Sequence, residues 1–217
     1  MNYILDIIGP MWEGTQVTLK LFFLTLVLSL PLGLVLALLR ISGIRPLATG
    51  VKGYLWLMRG TPLMLQMLFI YYALPMIPGM PILLPDFSAA VLAFVLNYAA
   101  YFAEIFRAGI QSIGRGQYEG AKALGMTYAQ TMRRIVLPQM VKRILPPMSN
   151  ETITLVKDTS LIYVLALNDL LRAARNIVQR DFNTTAFVVA AVFYLLMTLM
   201  LTWLFQHLEK RYAVYDD

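Results

Sequence analysis

The sequence predicts an all-α membrane protein with five transmembrane helices, its N-terminus outside and its C-terminus in the cytoplasm. Three observations carry that reading. The 217 residues are 59% hydrophobic and only 14% charged, and the mean hydropathy is +0.66. No soluble domain of this size can hide so much apolar surface, because soluble surfaces need polar cover. Apolar segments recur at lengths that cross a bilayer, and the basic residues between them sort to one side. The length suits one domain, residues 1–217, so the segments form one bundle. With no cysteine there is neither a disulfide framework nor a thiolate metal site.

Each element follows in order, judged against the roughly 20 residues that span about 30 Å of hydrocarbon. Ile4, Ile7, Ile8, Met11 and Trp12 fall at helical spacing. They predict either a short helix in the outer interface or the start of the first span. The N-terminal stretch lacks Lys and Arg up to Glu13, so it has no basic region of a cleaved signal peptide. Span one covers about Gln16 to Leu39. Span two covers about Tyr54 to Leu74, interrupted by Arg59-Gly60-Thr61-Pro62. Span three covers about Phe87 to Phe106, span four Met140 to Ala166, and span five Ala186 to Phe205.

Basic residues are dense after span one (Arg40, Arg45, Lys52, Arg59), between spans three and four (Arg107 to Arg143), and after span five (Lys210, Arg211). Positive charge flanking spans stays in the cytoplasm, which sets the orientation. The basic charge therefore lies mostly along one membrane face, with Arg172, Arg175 and Arg180 in the loop after span four on the other. It is not gathered on one element as a nucleic-acid site would have it, and no nucleic-acid partner is expected.

The cytoplasmic segment of about residues 111–138 is too long for a turn. Its punctuation predicts two short helices. The first includes Tyr118 to Leu124 and stops at Gly125, where a left-handed residue ends a helix. Thr127 with Gln130 then forms a capping box, and the second helix stops before Pro138. Glu119 sits among Gly120, Ala121 and Ala123, a small-residue surface that a partner can approach closely.

Glu119-Gly120-Ala121, Gly125, Ile135, Leu137 and Pro138 together resemble the "EAA" loop of ABC-importer permeases. The spacing matches throughout, with Gly120 in place of alanine. Further segments resemble the polar amino acid subfamily of those permeases: Arg59 to Pro62, Asn97, Tyr101 to Glu104 with Arg107, and Lys157-Asp158-Thr159-Ser160-Leu161. The resemblance implies a type I importer fold. It also implies that residues 111–138 are a coupling helix set into a nucleotide-binding subunit. The implied partners are two ABC ATPase subunits, a second copy or a homologous permease, and an external or periplasmic solute-binding protein. The implied setting is the bacterial inner membrane, crossed several times and bathed in lipid.

Span four poses a physical question of its own. Glu151, Lys157 and Asp158 would each cost roughly 2.5–3.5 kcal/mol at the bilayer centre. They must face the bundle interior or a wet cavity, and an i, i+3/i+4, i+7 rhythm puts Asn150, Glu151, Thr154, Lys157, Asp158 and Leu161 near one stripe. Pro146-Pro147 predict a bent or broken start to that helix, a geometry tolerated beside a cavity. A zwitterionic amino acid suits the set: Lys157 for its carboxylate, Asp158 or Glu151 for its ammonium. Asn97 offers a donor and an acceptor from span three. Thr159 and Ser160 complete the candidate solute-binding residues. The competing reading keeps Lys157 with Asp158 as a packing pair and Asn97 as a cross-helix bond. The acidic bias leans towards cationic or neutral polar solutes.

Glu104 and Arg107, one turn apart, predict an interfacial ion pair. Gly109 and Gly114 lead to Arg115-Gly116 and so fail the phosphate-loop pattern. No catalytic set, metal site or cofactor is expected, so ATP and magnesium belong to a partner ATPase. An ion-coupled secondary transporter is the alternative, although such carriers usually show two related halves.

Overall fold

The computed structural model describes residues 2–78 and 82–212, and every described element is a helix. The part of the predicted Met76–Asp86 loop at residues 79–81 lies outside the described residues. The first helix, α1 (Asn2–Ile41), is continuous, so the N-terminal apolar residues are the start of span one and not a separate interfacial helix. Ile7 and Met11 are buried, whereas Ile8 and Trp12 are exposed. Pro31 lies inside α1 without ending it.

Span two is α2 (Arg45–Gly60), a break at Thr61 and Pro62, α3 (Leu63–Leu68), a π-helical stretch (Phe69–Ala73) and a short 3-10 turn (Leu74–Met76). Its interruption falls where the sequence predicts it. Pro62 has no N–H to donate and its ring disfavours helix in the residue before it.

Central to the bundle is α4 (Asp86–Gln111), with a dozen buried residues. It packs most extensively against α1, because the contact surface is small. A Cβ on Gly33 would lie 2.9 Å from the Cβ of Phe102 and 3.0 Å from the carbonyl of Ala99, so only glycine lets the two backbones come this close. The main core gathers Phe94, Tyr98 and Phe102 of α4 with Leu21, Met67, Leu155 and Ile162.

The predicted pair of short helices is present as α5 (Arg115–Ala123) and α6 (Tyr128–Thr131). Gly125 adopts φ +70°. Its N–H donates to Lys122 O at 3.0 Å and Met126 N–H to Ala121 O at 3.0 Å, the paired bonds of a Schellman stop. Thr127 N donates to Gln130 Oε1 at 2.8 Å, and Gln130 N to Thr127 Oγ1 at 3.3 Å. One expectation fails here. The second helix does not stop before Pro138 but passes through a π stretch (Met132–Val136) into α7 (Leu137–Asp158). Leu137 N–H reaches back five residues to Met132 O, and Pro138, in the first turn of α7, has no N–H to lose at the register change.

Of the bent or broken start predicted at Pro146-Pro147, the break is absent. Both lie inside α7, which continues through them. The irregular backbone of span four comes after Asp158, as a 3-10 stretch (Thr159–Leu165) ended by Ala166 at φ 61°.

Beyond it, buried Asp169 caps α8 (Leu170–Asp181), accepting from Leu171 N at 3.1 Å and Arg172 N at 3.0 Å. Burial nevertheless pushes its carboxyl up to about 6, against the lowering pull of these amides. The last helix, α9 (Thr185–Tyr212), exposes Val188, Leu195, Leu199, Met200 and Trp203, the surface of a helix that borders lipid. Three described helices are long and apolar enough to cross a membrane: Tyr3–Ile41, Asp86–Gln111 and Thr185–Tyr212.

Candidate functional site

The site begins at the break in span two. In an unbroken helix the Met58 carbonyl would accept from residue 62, but residue 62 is proline and cannot donate. The orphaned carbonyl is met by side chains: Asn97 Nδ2 donates to Met58 O at 3.0 Å and Gln66 Nε2 at 2.9 Å. Asn97 Nδ2 also donates to Gln66 Oε1 at 3.1 Å. Gln66 Nε2 lies 2.7 Å from Thr61 Oγ1 and 3.1 Å from Thr61 O. Thr61 Oγ1 in turn donates to Leu57 O at 2.8 Å. These bonds hold α2, α3 and α4 in fixed register around the break.

Beside the break lies a cavity of about 440 Å³ whose lining includes Arg59, Asn97, Tyr101, Glu151, Thr154 and Asp158. That volume accommodates an amino acid with water. Its two walls are unlike. On the α4 side Asn97 is buried, with its donors turned to the break. On the α7 side, among the described residues, nothing hydrogen-bonds the Glu151 carboxylate, while Asp158 Oδ2 accepts from Tyr98 Oη at 2.8 Å. Two carboxylates and one guanidinium therefore face a wet space, an arrangement that suits an ammonium group and a carboxylate carried on one solute.

The predicted stripe of span four narrows. At about 100° per residue, Thr154 and Asp158 return to within about 60° of Glu151, but Lys157 falls about 120° away. Lys157 is exposed and is not among the residues lining the cavity. Asn150 is likewise exposed and outside the lining. Thr159 is buried and donates to Val156 O at 2.7 Å, and Ser160 donates to Lys157 O at 2.8 Å; both serve the 3-10 backbone and neither lines the cavity. Thus Asn97, Glu151, Thr154 and Asp158 come together, and Lys157, Thr159 and Ser160 do not join them. The sequence reading missed Tyr98 and Gln66. A signal for Gln66 existed: Pro62 leaves a carbonyl in need of a donor, and an amide sits one turn into the next helix.

Further along α4, Arg107 pairs with Glu104 through two hydrogen bonds, one of 3.0 Å from Nε to Oε2. Arg59 Nη1 lies 3.9 Å from Glu104 Oε2, and its guanidinium sits 5.5 Å from the centre of the Tyr101 ring. The expected ion pair is present, and Arg59 is drawn into it.

In the 111–138 segment, Glu119, Gly120 and Gly125 are exposed and Ala121 is buried. Ile135 and Pro138 are partly buried and Leu137 is exposed. Leu124 is 81% exposed and Tyr128 75%, so the loop presents apolar side chains at its tip. Gln139 Nε2 donates to Gln117 Oε1 at 3.1 Å, tying α5 to α7.

The family described as binding-protein-dependent transport system inner membrane component matches residues 29–214. The chain is 39% identical over 200 residues to the arginine transport system permease protein ArtQ of Bacillus subtilis, covering 92% of this chain and 90% of that one. It is 37% identical to the glutamate/aspartate import permease protein GltK of Escherichia coli O157:H7, covering 93% and 92%. The L-cystine transport system permease protein TcyB of Bacillus subtilis is 37% identical, covering 91% and 84%. A crystal structure of an amino acid ABC transporter with histidines superposes with a TM-score of 0.87 at 36% identity, covering 96% of this chain and 97% of that one. The MetNI methionine ABC transporter, at 19% identity and a TM-score of 0.72, shares the fold.

Proposed function

The chain belongs to the family of binding-protein-dependent transport system inner membrane components, and on that premise we propose that it is the membrane-spanning permease subunit of an ATP-driven importer for polar amino acids. The observation that carries the proposal is similarity over nine tenths of the chain to permeases named for arginine, cystine and glutamate/aspartate transport. Those solutes differ in side chain and share an ammonium and a carboxylate. The chamber of Arg59, Asn97, Glu151, Thr154 and Asp158 offers partners for both groups.

The protein crosses the bacterial inner membrane five times, its N-terminus outside. Spans two and four, the interrupted ones, face the solute path, and the irregular backbone they carry is tolerated there because it borders water. The chain holds no catalytic residue and no cofactor of its own. Two partner ATPases bind ATP and magnesium. They grip the 111–138 segment, where Leu124 and Tyr128 supply the exposed apolar contact and Glu119, Gly120 and Ala121 the close approach. A second permease copy or a homologue completes the path, and an external solute-binding protein loads it. Closure of the ATPases shifts the population between outward and inward access. The self-sufficient ion-coupled carrier weighed above draws no support from the relatives.

Reconstitution with the partner ATPase and solute-binding protein in liposomes tests this. Uptake of a polar amino acid that requires ATP on the ATPase side is the expected result. Uptake driven by an ion gradient without the ATPase would overturn it.

A further inference from the structure

Beyond the chamber lies a second cavity of about 450 Å³, further along α4 and lined by Arg40, Lys52, Trp56, Arg59, Glu104 and Arg107 among others. Arg59 and Gly60 line both cavities. From Asn97 to Arg107 is about 15 Å along a helix, so the two spaces are stacked, with Arg59 between them. Their charges are opposite. The first holds Glu151 and Asp158 against one guanidinium; the second holds four cations against Glu104 alone.

Glu104 is already engaged by Arg107. Among the described residues no hydrogen bond or ion pair engages Arg40 or Lys52 directly, although Arg40 lies close enough to Glu104 to bear on its ionisation electrostatically. The surplus positive charge is therefore directed at something outside the chain. Lys52, Leu55, Trp56 and Arg59 recur at helical spacing on one face of α2, which puts the indole of Trp56 beside the cations.

We propose that this second cavity is an inner binding station for the carboxylate of the transported amino acid, with Arg59 passing that carboxylate from the outer chamber to Arg40 and Lys52. The inference rests on the permease reading above. The charge inversion gives the solute a direction: its carboxylate leads into the basic cavity and its ammonium trails on the side of Glu151 and Asp158. Because every amino acid carries the α-carboxylate, the station is indifferent to side chain. An anionic lipid headgroup offers the same chemistry as a carboxylate, and the experiment separates the two.

The whole transporter, with Trp12 and Trp203 of this chain replaced by phenylalanine, is placed in phosphatidylcholine nanodiscs, and its signal is read as the difference from the same transporter carrying Trp56→Phe, so that Trp56 alone reports. Acetate, L-arginine and L-glutamine each shift Trp56 fluorescence saturably, and methylammonium does not. In the Arg40→Gln/Lys52→Gln double variant the apparent affinity for acetate falls about tenfold, the loss of two charges near one anion in partly wet surroundings. The charge-retaining Arg40→Lys/Lys52→Arg variant keeps it, which guards against a misfolded double variant. No saturable response to acetate in a preparation that still imports amino acids would overturn the station while leaving the permease reading intact. A response that appears only when phosphatidylglycerol is added would also overturn it, by assigning the cavity to lipid.

Discussion

The two walls of the cavity beside the Thr61-Pro62 break carry polar groups of similar kind and put them to opposite uses. On the α2–α4 wall, Asn97 and Gln66 both donate to the Met58 carbonyl that Pro62 leaves orphaned, Asn97 also donates to Gln66, and Thr61 donates to the Leu57 carbonyl. On the α7 wall, Glu151 accepts no hydrogen bond from any described residue, and Asp158 accepts one, from Tyr98. A polar side chain in a membrane bundle is available to a solute only when the backbone has not already claimed it. On the proposed function, the α7 wall is the one left open to the solute, while the Asn97 amide is committed to the fold.

The sharpest way to break that distinction is Glu151→Gln. Loss of one charge-assisted contact to a bound ammonium is worth about 1.5–3 kcal/mol, so uptake falls about 10- to 100-fold. The thermal midpoint of the purified complex stays within error, because no described residue depends on that carboxylate for a hydrogen bond. A destabilised complex with normal uptake would reverse the assignment of the walls. Next comes Asn97→Leu, which leaves Gln66 and the Met58 carbonyl short of a donor at a buried position. The expected loss is about 1–3 kcal/mol of stability, read as a lower thermal midpoint, with uptake per folded molecule changed less than by Glu151→Gln.

A third measurement leaves the chamber and concerns Asp169, a buried carboxyl used for scaffold alone. Its ordinary value of 3.8 rises to about 6 in the fold, so the native state holds the proton more tightly than the unfolded chain does. Stability then falls as pH rises from about 4 to about 6 and is flat above. On going from pH 7 to pH 5 the thermal midpoint should rise in the wild type relative to Asp169→Asn. The whole effect is bounded by about 3 kcal/mol. Identical pH profiles would refute the contribution. The smallest expected effect is that of Lys157→Gln. An exposed side chain outside the cavity changes stability by less than about 0.5 kcal/mol and leaves uptake near wild type. A strong uptake defect there would restore Lys157 to the site.

Lys157 also shows where sequence reading runs out. Its spacing from Glu151 looks helical when turns are counted loosely, yet six residues carry it about 240° around the axis and seven carry Asp158 almost back to the start. The local signals were legible: Gly125 as a helix stop, Thr127 with Gln130 as a cap, Pro62 as a break. Each depends on residues within one turn. Spans one, three and five were legible from length and apolarity. What the chain could not announce was contact between distant segments. That Asn97 serves Met58 is a relation 39 residues apart, and that Tyr98 binds Asp158 one of 60. The tandem prolines at 146 and 147 left open a break that is absent, for a related reason. Proline removes a hydrogen bond, but whether the helix breaks depends on what surrounds the freed carbonyls, and α7 passes through both.

The passage from α6 through the π stretch into α7 has a mechanical consequence. From Tyr128 to Asp158 the backbone never leaves helical form, so the exposed loop tip and the two chamber carboxylates stand on one rod. Within residues 132–136 that rod takes more residues per turn than elsewhere. Angular phase between its ends therefore depends on this joint: rewinding the same residues as α-helix would turn Glu151 and Asp158 relative to Tyr128. The winding of those five residues thus sets the angle at which the two carboxylates stand above the loop tip.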